Sequence, residues 1–229
     1  MIPDKVAPAS HLRIAVPAYT GQVSVQTAHS IDQALVTLRE AGVVVDTHYA
    51  AGCCYIDHAR NMMVADFLRS EATDLLFVDA DVGFGMDAIL RSVRAERAVV
   101  AGIYPKKSRG EPAFPVAVDA PEIWADRAGH IECAMVPTGF LRINRAVFEA
   151  MAPHVEHYVH NDGEPNLRAY FKTEIIDGVY WGEDPNFCRK WRAIGGKVHA
   201  MAGVEFGHVG NFEWRGKWPP NAPQMRNAA

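Results

Sequence analysis

An apolar run that breaks off into acid, DLLFVDADVGFG at Asp74–Gly85, constrains this chain more than any other stretch. Leu75 to Val78 are four consecutive apolar residues, the pattern of a strand buried on both faces, and such strands belong to parallel sheets covered by helices. The run ends in Asp79-Ala80-Asp81. In open α/β sheets, ligands settle just beyond the carboxyl ends of the strands. Two carboxylates one residue apart at such an edge repel unless a cation neutralises them. Hard oxygen ligands of this kind suit Mg²⁺ or Mn²⁺, which bind through a few carboxylates plus substrate phosphates. An acidic turn after a strand is the alternative that this motif leaves open on its own.

The flanking sequence predicts the rest of such a sheet. His11 to Pro17 reads as a first strand opening into the loop AYTGQ. Val23 to Ala41 has helical spacing (Val25, Ala28, Ile31, Leu35, Leu38) and closes at Gly42, a C-cap signal. Val43 to His48 reads as a strand, Tyr55 to Arg69 and Met86 to Glu96 as helices, and Ala98 to Tyr104 as a further strand. This alternation is the signature of an α/β fold with a doubly wound, mostly parallel sheet. Lys106 to His130 is Pro-rich and broken, with Val116–Val118 and His130–Val136 as candidate antiparallel additions. A short helix over Arg145–Met151, a mobile loop over Pro153–Glu174, a helix from about Pro185 to Ile194 and a strand at Lys197–Met201 complete the pattern. The expected organisation is a flexible N-terminus (1–10), one domain (11–218) and a flexible tail (219–229).

Bulk numbers argue against some classes, though a local basic patch that meets nucleic acid stays open. A chain of 229 residues with formal charge −4 lacks the basic excess of a broad nucleic-acid grip. No apolar run approaches the ~18–20 residues that span a bilayer, and MIPDKVAPAS lacks a signal-peptide core. Cys53, Cys54, Cys133 and Cys188 form no CxxC pair, so reduced thiols in a cytoplasmic protein are expected and a zinc site is not.

Six ordered segments carry a resemblance: VPAYTG at 16–21, DHARNMMVADFL at 57–68, FVDADVGF at 77–84, VPTGFLRINRAVF at 136–148, WGEDPNFCRKW at 181–191 and GHVG at 207–210. In this order and spacing the chain resembles glycosyltransferases of the GT-A fold, similar to small family-2-like bacterial and viral enzymes, over residues 11–212. The resemblance implies a single Rossmann-like domain with helices flanking the mostly parallel sheet and a smaller antiparallel sheet on the acceptor side. It implies metal-dependent transfer of a sugar from a UDP- or GDP-linked donor to a hydroxyl acceptor (glycan, lipid-linked or other). A sugar-nucleotide nucleotidyltransferase and a non-catalytic nucleotide-sugar-binding module are the rival readings. The first loop lacks the Gly-rich, Lys/Arg-bearing stretch expected of the nucleotidyltransferase. The ending GHVGNFEWRGKW is also similar to the closing motif of some retaining GT-A families, so the stereochemical outcome stays open. The chain lacks the long acceptor region of larger members, which suggests a partner, a homo-oligomer or a longer multidomain setting.

The same resemblance assigns roles. Asp81 and His208 would hold Mn²⁺ or Mg²⁺, with Asp79 on the ribose or a metal-bound water. Arg60 would face the diphosphate, where a guanidinium fork suits phosphate oxygens. Pro17, Ala18 and Tyr19 would cradle the nucleobase, and Ala80 would lie beside the donor. Gly139 would let backbone approach the donor sugar. Asp46, read as the end of the second strand, would accept from the base, or else be a solvated carboxylate. Asp184 would be the general base of an inverting transfer and Glu183 would orient the acceptor; a charged cap at the start of a helix is their bland alternative. Trp181, Trp214 and Trp218 could form a sugar platform or cover the core. Lys106, Lys107 and Arg109 read as a solvated basic loop.

Overall fold

The computed structural model describes residues 2–160, 163, 167–221 and 223–225. In chain order the elements are β1 (His11–Ala18), α1 (Val25–Glu40), β2 (Val44–Ala51), α2 (Ile56–Arg69), β3 (Asp74–Val78), β4 (Val82–Phe84), α3 (Met86–Arg94) and β5 (Val99–Ala101). They continue with β6 (Trp124–Ala125), β7 (His130–Cys133), β8 (Phe140–Asn144), α4 (Arg145–Met151), β9 (His157–Tyr158), β10 (Leu167–Arg168), β11 (Glu174–Ile176) and β12 (Val179–Trp181). The last are α5 (Glu183–Ala193), β13 (Val198–Met201), β14 (Val204–Val209), β15 (Glu213–Trp218) and β16 (Gln224–Met225).

The fold is mixed α/β. A seven-stranded sheet has the order β2-β1-β3-β8-β5-β13-β7, and β8 and β7 run against the other five strands. Period-two alternation decides which side chains each face buries. On β3, Leu75 and Phe77 pack with Met63, Val64 and Phe67 of α2, Phe148 of α4 and Trp191 of α5. Leu76 and Val78 of the same strand pack with Ile31 and Leu38 of α1 and Ile89 of α3. Both faces are therefore covered, which is why β3 reads as an unbroken apolar run. The parallel strands β1, β2, β3 and β5 all point their carboxyl ends at one edge. There a second, antiparallel sheet of order β15-β14-β4 joins it.

Several expectations change at this level. Phe140–Asn144 inserts antiparallel between β3 and β5, so the mostly parallel sheet is interrupted inside as well as at its β7 edge. Val116–Val118 contributes one isolated bridge, Ala117 to Met135, in place of a strand. Residues 2–10 make contacts with the domain: the Ala9 amide donates to Val93 O at 2.8 Å, the Ala98 amide donates to Asp4 O at 3.1 Å, and Ile2 and Val6 pack on the core. The tail returns to the domain, with Gln224 and Met225 pairing parallel to Trp124 and Ala125. The expected loop at Pro153–Glu174 contains the β9/β10 pair, while its residues 161–162 and 164–166, like 226–229 of the tail, lie outside the described residues. Among the described residues no helix is long and apolar enough to cross a membrane.

Candidate functional site

At the carboxyl edge of the sheet an open cleft of about 560 Å³ is bounded by the β1–α1 loop, the first turns of α2 and α5, residues Asp79–Asp81 and the end of β14. The turn after β3 is fixed by backbone bonds. The Asp79 amide donates to Gly139 O at 3.0 Å, and Ser24, which caps α1, donates its amide to Ala80 O at 2.8 Å. Gly139 has to be glycine. A Cβ there would lie 2.5 Å from the Tyr104 hydroxyl and 2.7 Å from Asp79 Oδ2.

Arg60 rises from α2 into the floor of the cleft, and its side chain is 2% exposed. It donates to Asp79 Oδ1 at 3.0 Å, stands 3.7 Å from Glu183 Oε1 and lies over the Phe77 ring. Its Nε and Nη1 have no hydrogen-bond partner, an expensive arrangement for a buried guanidinium unless a ligand completes it. Burial works against the charged form of Arg60. The nearby Asp79, Asp184 and Glu183 outweigh that and raise its pKa.

Four carboxylates converge here. Burial pushes Asp79 above its ordinary value; Arg60 opposes this and Asp184 adds to it. Glu183 is pushed up to about 7 by burial and by the Asp184 charge, which together outweigh Arg60. Asp184 is held by Thr138, whose hydroxyl donates to Oδ1 at 2.6 Å and whose amide donates to Oδ2 at 3.3 Å. α5 starts at Glu183, two residues earlier than its Pro185 suggested, so both acids sit in its first turn, where the helix dipole favours negative charge.

Pairing of β14 with β4 sets His208 opposite Val82, and the Val209 amide donates to Asp81 O at 2.7 Å. This register, more than sequence proximity, delivers the late histidine to the acidic turn. His208 Nδ1 lies 2.9 Å from Pro105 O. A carbonyl only accepts, so Nδ1 carries a proton; Nε2 donates to Asp81 when the ring is cationic and offers its lone pair to a metal ion when it is neutral. That nitrogen faces Asp81 Oδ1 at 3.6 Å. Burial pulls Asp81 upward, but the neighbouring His208 and Lys107 outweigh it and hold the carboxyl below its ordinary range. Among the described residues no three His, Cys, Asp or Glu side chains form a ready-made ion cage. The Asp81–His208 pair nevertheless suits an ion such as Mn²⁺ or Mg²⁺ that keeps waters and takes further oxygens from a phosphate. The orientation of the imidazole by a backbone carbonyl is the usual second layer of such sites.

Of the residues singled out in the sequence, Pro17, Arg60, Asp79, Ala80, Asp81, Glu183 and Asp184 border this one cleft. Gly139 and His208 do not line it but contact residues that do, Gly139 through the Asp79 amide and His208 through Asp81. Ala18 is buried at the end of β1, and Tyr19 is exposed on the rim. Asp46 is elsewhere. β2 runs on to Ala51, so Asp46 lies five residues short of the carboxyl end, on the order of 16 Å away at strand rise. Its carboxylate is taken by Arg13 at 2.6 Å and His11 at 2.9 Å. The tryptophans separate too: Trp218 belongs to the core, while Trp214 donates to Ser108 O at 2.9 Å. Sequence reasoning missed Thr138 as the holder of Asp184. It also missed Lys107, whose Nζ donates to Asp81 Oδ2 at 2.5 Å. The position of Lys107 shortly after β5, a strand ending at the same edge, was the available signal.

No family model matches the sequence, and no curated protein matches it. Among solved structures the fold is similar to GalNAc-T7 crystallised with UDP, GalNAc and Mn²⁺, at 10% identity over 85% of this chain and 42% of that one, TM-score 0.49. It is also similar to residues 1–349 of S. aureus TarS, at 12% identity over 83% of this chain and 58% of that one, TM-score 0.45. An inositol-1-phosphate CTP transferase from T. maritima gives 9% identity over 85% and 86%, TM-score 0.41. The chain thus spans under two thirds of the first two. These likenesses concern the path of the chain alone.

Proposed function

We propose that this chain is a GT-A-type glycosyltransferase that moves a sugar from a UDP- or GDP-linked donor to a hydroxyl acceptor, with inversion. One observation carries the reading. A single cleft at the carboxyl edge of the sheet joins an acidic turn faced by an imidazole nitrogen, a buried guanidinium with free donors, and a second acidic pair on a helix start.

Asp81 and His208 would hold a divalent cation, which when bound neutralises the negative charge on a diphosphate leaving group. Arg60 contributes from the floor of the cleft, where its unpaired Nε and Nη1 can turn to phosphate oxygens. Asp79 orients Arg60 through their 3.0 Å bond. Asp184, fixed by Thr138, accepts the proton of the acceptor hydroxyl. The hydroxyl oxygen then bonds to the anomeric carbon as the bond to phosphate breaks, and its electron pair leaves with the diphosphate. Glu183, half-protonated near neutral pH, can hydrogen-bond an acceptor hydroxyl as donor or acceptor.

Calorimetry with UDP, GDP, CDP and dTDP, with and without Mn²⁺, tests the donor side. One nucleotide should bind saturably in an Mn²⁺-dependent way, and Asp81→Ala should lose that dependence. Asp184→Ala should bind the same nucleotide and lose about 10²–10⁴-fold in transfer. Undiminished Mn²⁺-dependent binding by Asp81→Ala would sink the assigned site. Turnover of a nucleoside triphosphate with a sugar 1-phosphate would make the chain a nucleotidyltransferase instead, and the anomeric configuration of any glycoside formed decides inversion against retention.

A further inference from the structure

The basic loop after β5 does something specific at the cleft. His208 Nδ1 donates to Pro105 O at 2.9 Å, and Trp214 Nε1 donates to Ser108 O at 2.9 Å. These two bonds, from neighbouring strands of the small sheet, bracket Lys107 and staple its loop to the β14–β15 hairpin. A Cβ on Gly210 would lie 3.4 Å from Lys107 Cδ, so the lysine stem runs along the glycine that borders the cleft. The stem is thereby aimed, and its ammonium rests on Asp81 Oδ2 at 2.5 Å while His208 Nε2 faces the other oxygen at 3.6 Å. Lys107 is two-thirds covered and Asp81 is 40% exposed, so the pair is reachable by solvent ions.

We propose that Lys107 is the resident counter-ion of Asp81, and that a divalent cation and the Lys107 ammonium are alternative occupants of that carboxylate. This inference rests on the Asp81–His208 cation site proposed above. The ammonium and the ion cannot share the position without strong like-charge repulsion. Binding of the ion therefore requires Lys107 to leave Asp81. The lysine has a flexible four-carbon stem on a loop whose backbone stays pinned at Pro105 and Ser108, so the head group can swing without refolding the loop. Once displaced it remains at the cleft, where an anionic diphosphate is the natural partner for a freed ammonium. Ion and nucleotide should consequently bind with positive coupling: the ion releases a cation for the phosphates, and the phosphates give that cation somewhere to go.

Mn²⁺ titration followed by electron paramagnetic resonance, with no nucleotide present, tests this directly. Lys107→Met should bind Mn²⁺ about three- to five-fold tighter than wild type, the factor expected from removing a partly exposed ion pair. Lys107→Arg, which keeps a cation on a comparable stem, should stay within about two-fold of wild type on the same reasoning. UDP or GDP should tighten Mn²⁺ binding in wild type and do so less in Lys107→Met. In ¹⁵N spectra the Lys107 ammonium resonance of wild type should shift on addition of Mg²⁺. Equal Mn²⁺ affinity in wild type and Lys107→Met, with binding still abolished by Asp81→Asn, overturns the counter-ion role and leaves the cation site standing. Absence of Mn²⁺ binding in wild type and in both Lys107 variants overturns the cation site and the inference together.

Discussion

The two edges of the seven-stranded sheet carry similar residues arranged to opposite ends. At the amino-terminal edge, Arg142 is buried beside Asp74, Arg13 bridges Asp46 and Asp66, and Arg145 donates to the carbonyls of Phe67, Leu68, Ser70 and Ala72 at the end of α2. Each acid there has a guanidinium, and the third guanidinium caps a helix where its charge is favourable. At the carboxyl edge, among the described residues, Asp79, Asp81, Glu183 and Asp184 share two full cations, Arg60 and Lys107, with the His208 imidazole beside Asp81. Arg60 and Arg142 are both almost wholly buried; an aspartate and two carbonyls engage both terminal nitrogens of Arg142 and leave only its Nε over, whereas Arg60 keeps Nε and Nη1 unpaired. The lesson is in the sign of the imbalance. Charges that hold the fold are paired within it. The acid excess at the other edge works against stability, the arrangement expected where side chains are placed to meet a cationic or phosphate-bearing ligand.

The largest break in this contrast should come from Asp74→Asn. It leaves Arg142 buried without its counter-charge, and urea unfolding should show a loss of about 3–5 kcal/mol. An Arg142→Met, Asp74→Leu double variant should recover much of that, because an apolar pair of similar volume is often as stable as a buried ion pair. If Asp74→Asn unfolds at the wild-type midpoint, the amino-terminal edge is not held by this pair. Next in size is Gly139→Ala. Its Cβ must displace the Tyr104 hydroxyl or the Asp79 carboxylate, so about 1–3 kcal/mol of stability and the nucleotide affinity should fall together. Retained affinity in that variant would mean that Asp79 tolerates displacement and does not orient Arg60 for the donor.

At the carboxyl edge the expected sign reverses. The Glu183 pKa of about 7 stands above its ordinary 4.5, so the native state binds more protons than the unfolded chain between those values. Stability attributable to this group is therefore complete below about pH 4.5 and is lost as pH rises to 7 and beyond. Glu183→Gln should remove that slope and stabilise the ligand-free protein at pH 8 by about 1–2 kcal/mol. Thermal melts of both proteins at pH 5 and pH 8 give the comparison. A variant less stable than wild type at pH 8 would show that Glu183 is paired there after all.

Much of this was legible in the sequence for a definite reason. Leu75–Val78 is buried on both faces, and its shortness together with the flanking helical patterns marks it as a covered strand, so the acidic turn could be placed at a sheet edge from pattern. The Arg60 helix follows from spacing in the same way, and the last helix does so to within two residues of its start at Glu183. Strand direction does not. Phe140–Asn144 is buried over its first four residues as a central parallel strand would be, and its reversed run depends on pairing with β3 and β5, a long-range choice. Lys107 and Thr138 were missed because their partners lie 26 and 46 residues away and their own neighbourhoods look like ordinary loop and turn. The exposed hairpin β11–β12 has alternation too short to distinguish from loop.

Asp46 failed through a boundary. A strand ending at His48 would put it near the cleft; the true end at Ala51 leaves it at the opposite edge, and this yields the smallest and sharpest expectation. Burial raises the Asp46 carboxyl, but Arg13 and His11 prevail and hold it below its ordinary value. Its contribution is therefore present above about pH 4 and fades as acid protonates it. Arg13 keeps Asp66 at 2.8 Å after the substitution, and the pair is partly exposed. Asp46→Asn should thus cost no more than about 1 kcal/mol at neutral pH. Nucleotide affinity should be unchanged, because no part of the cleft touches this cluster. If calorimetry instead showed weakened nucleotide binding at intact stability, ligand recognition would reach the amino-terminal edge and the division of labour between the two edges would not hold.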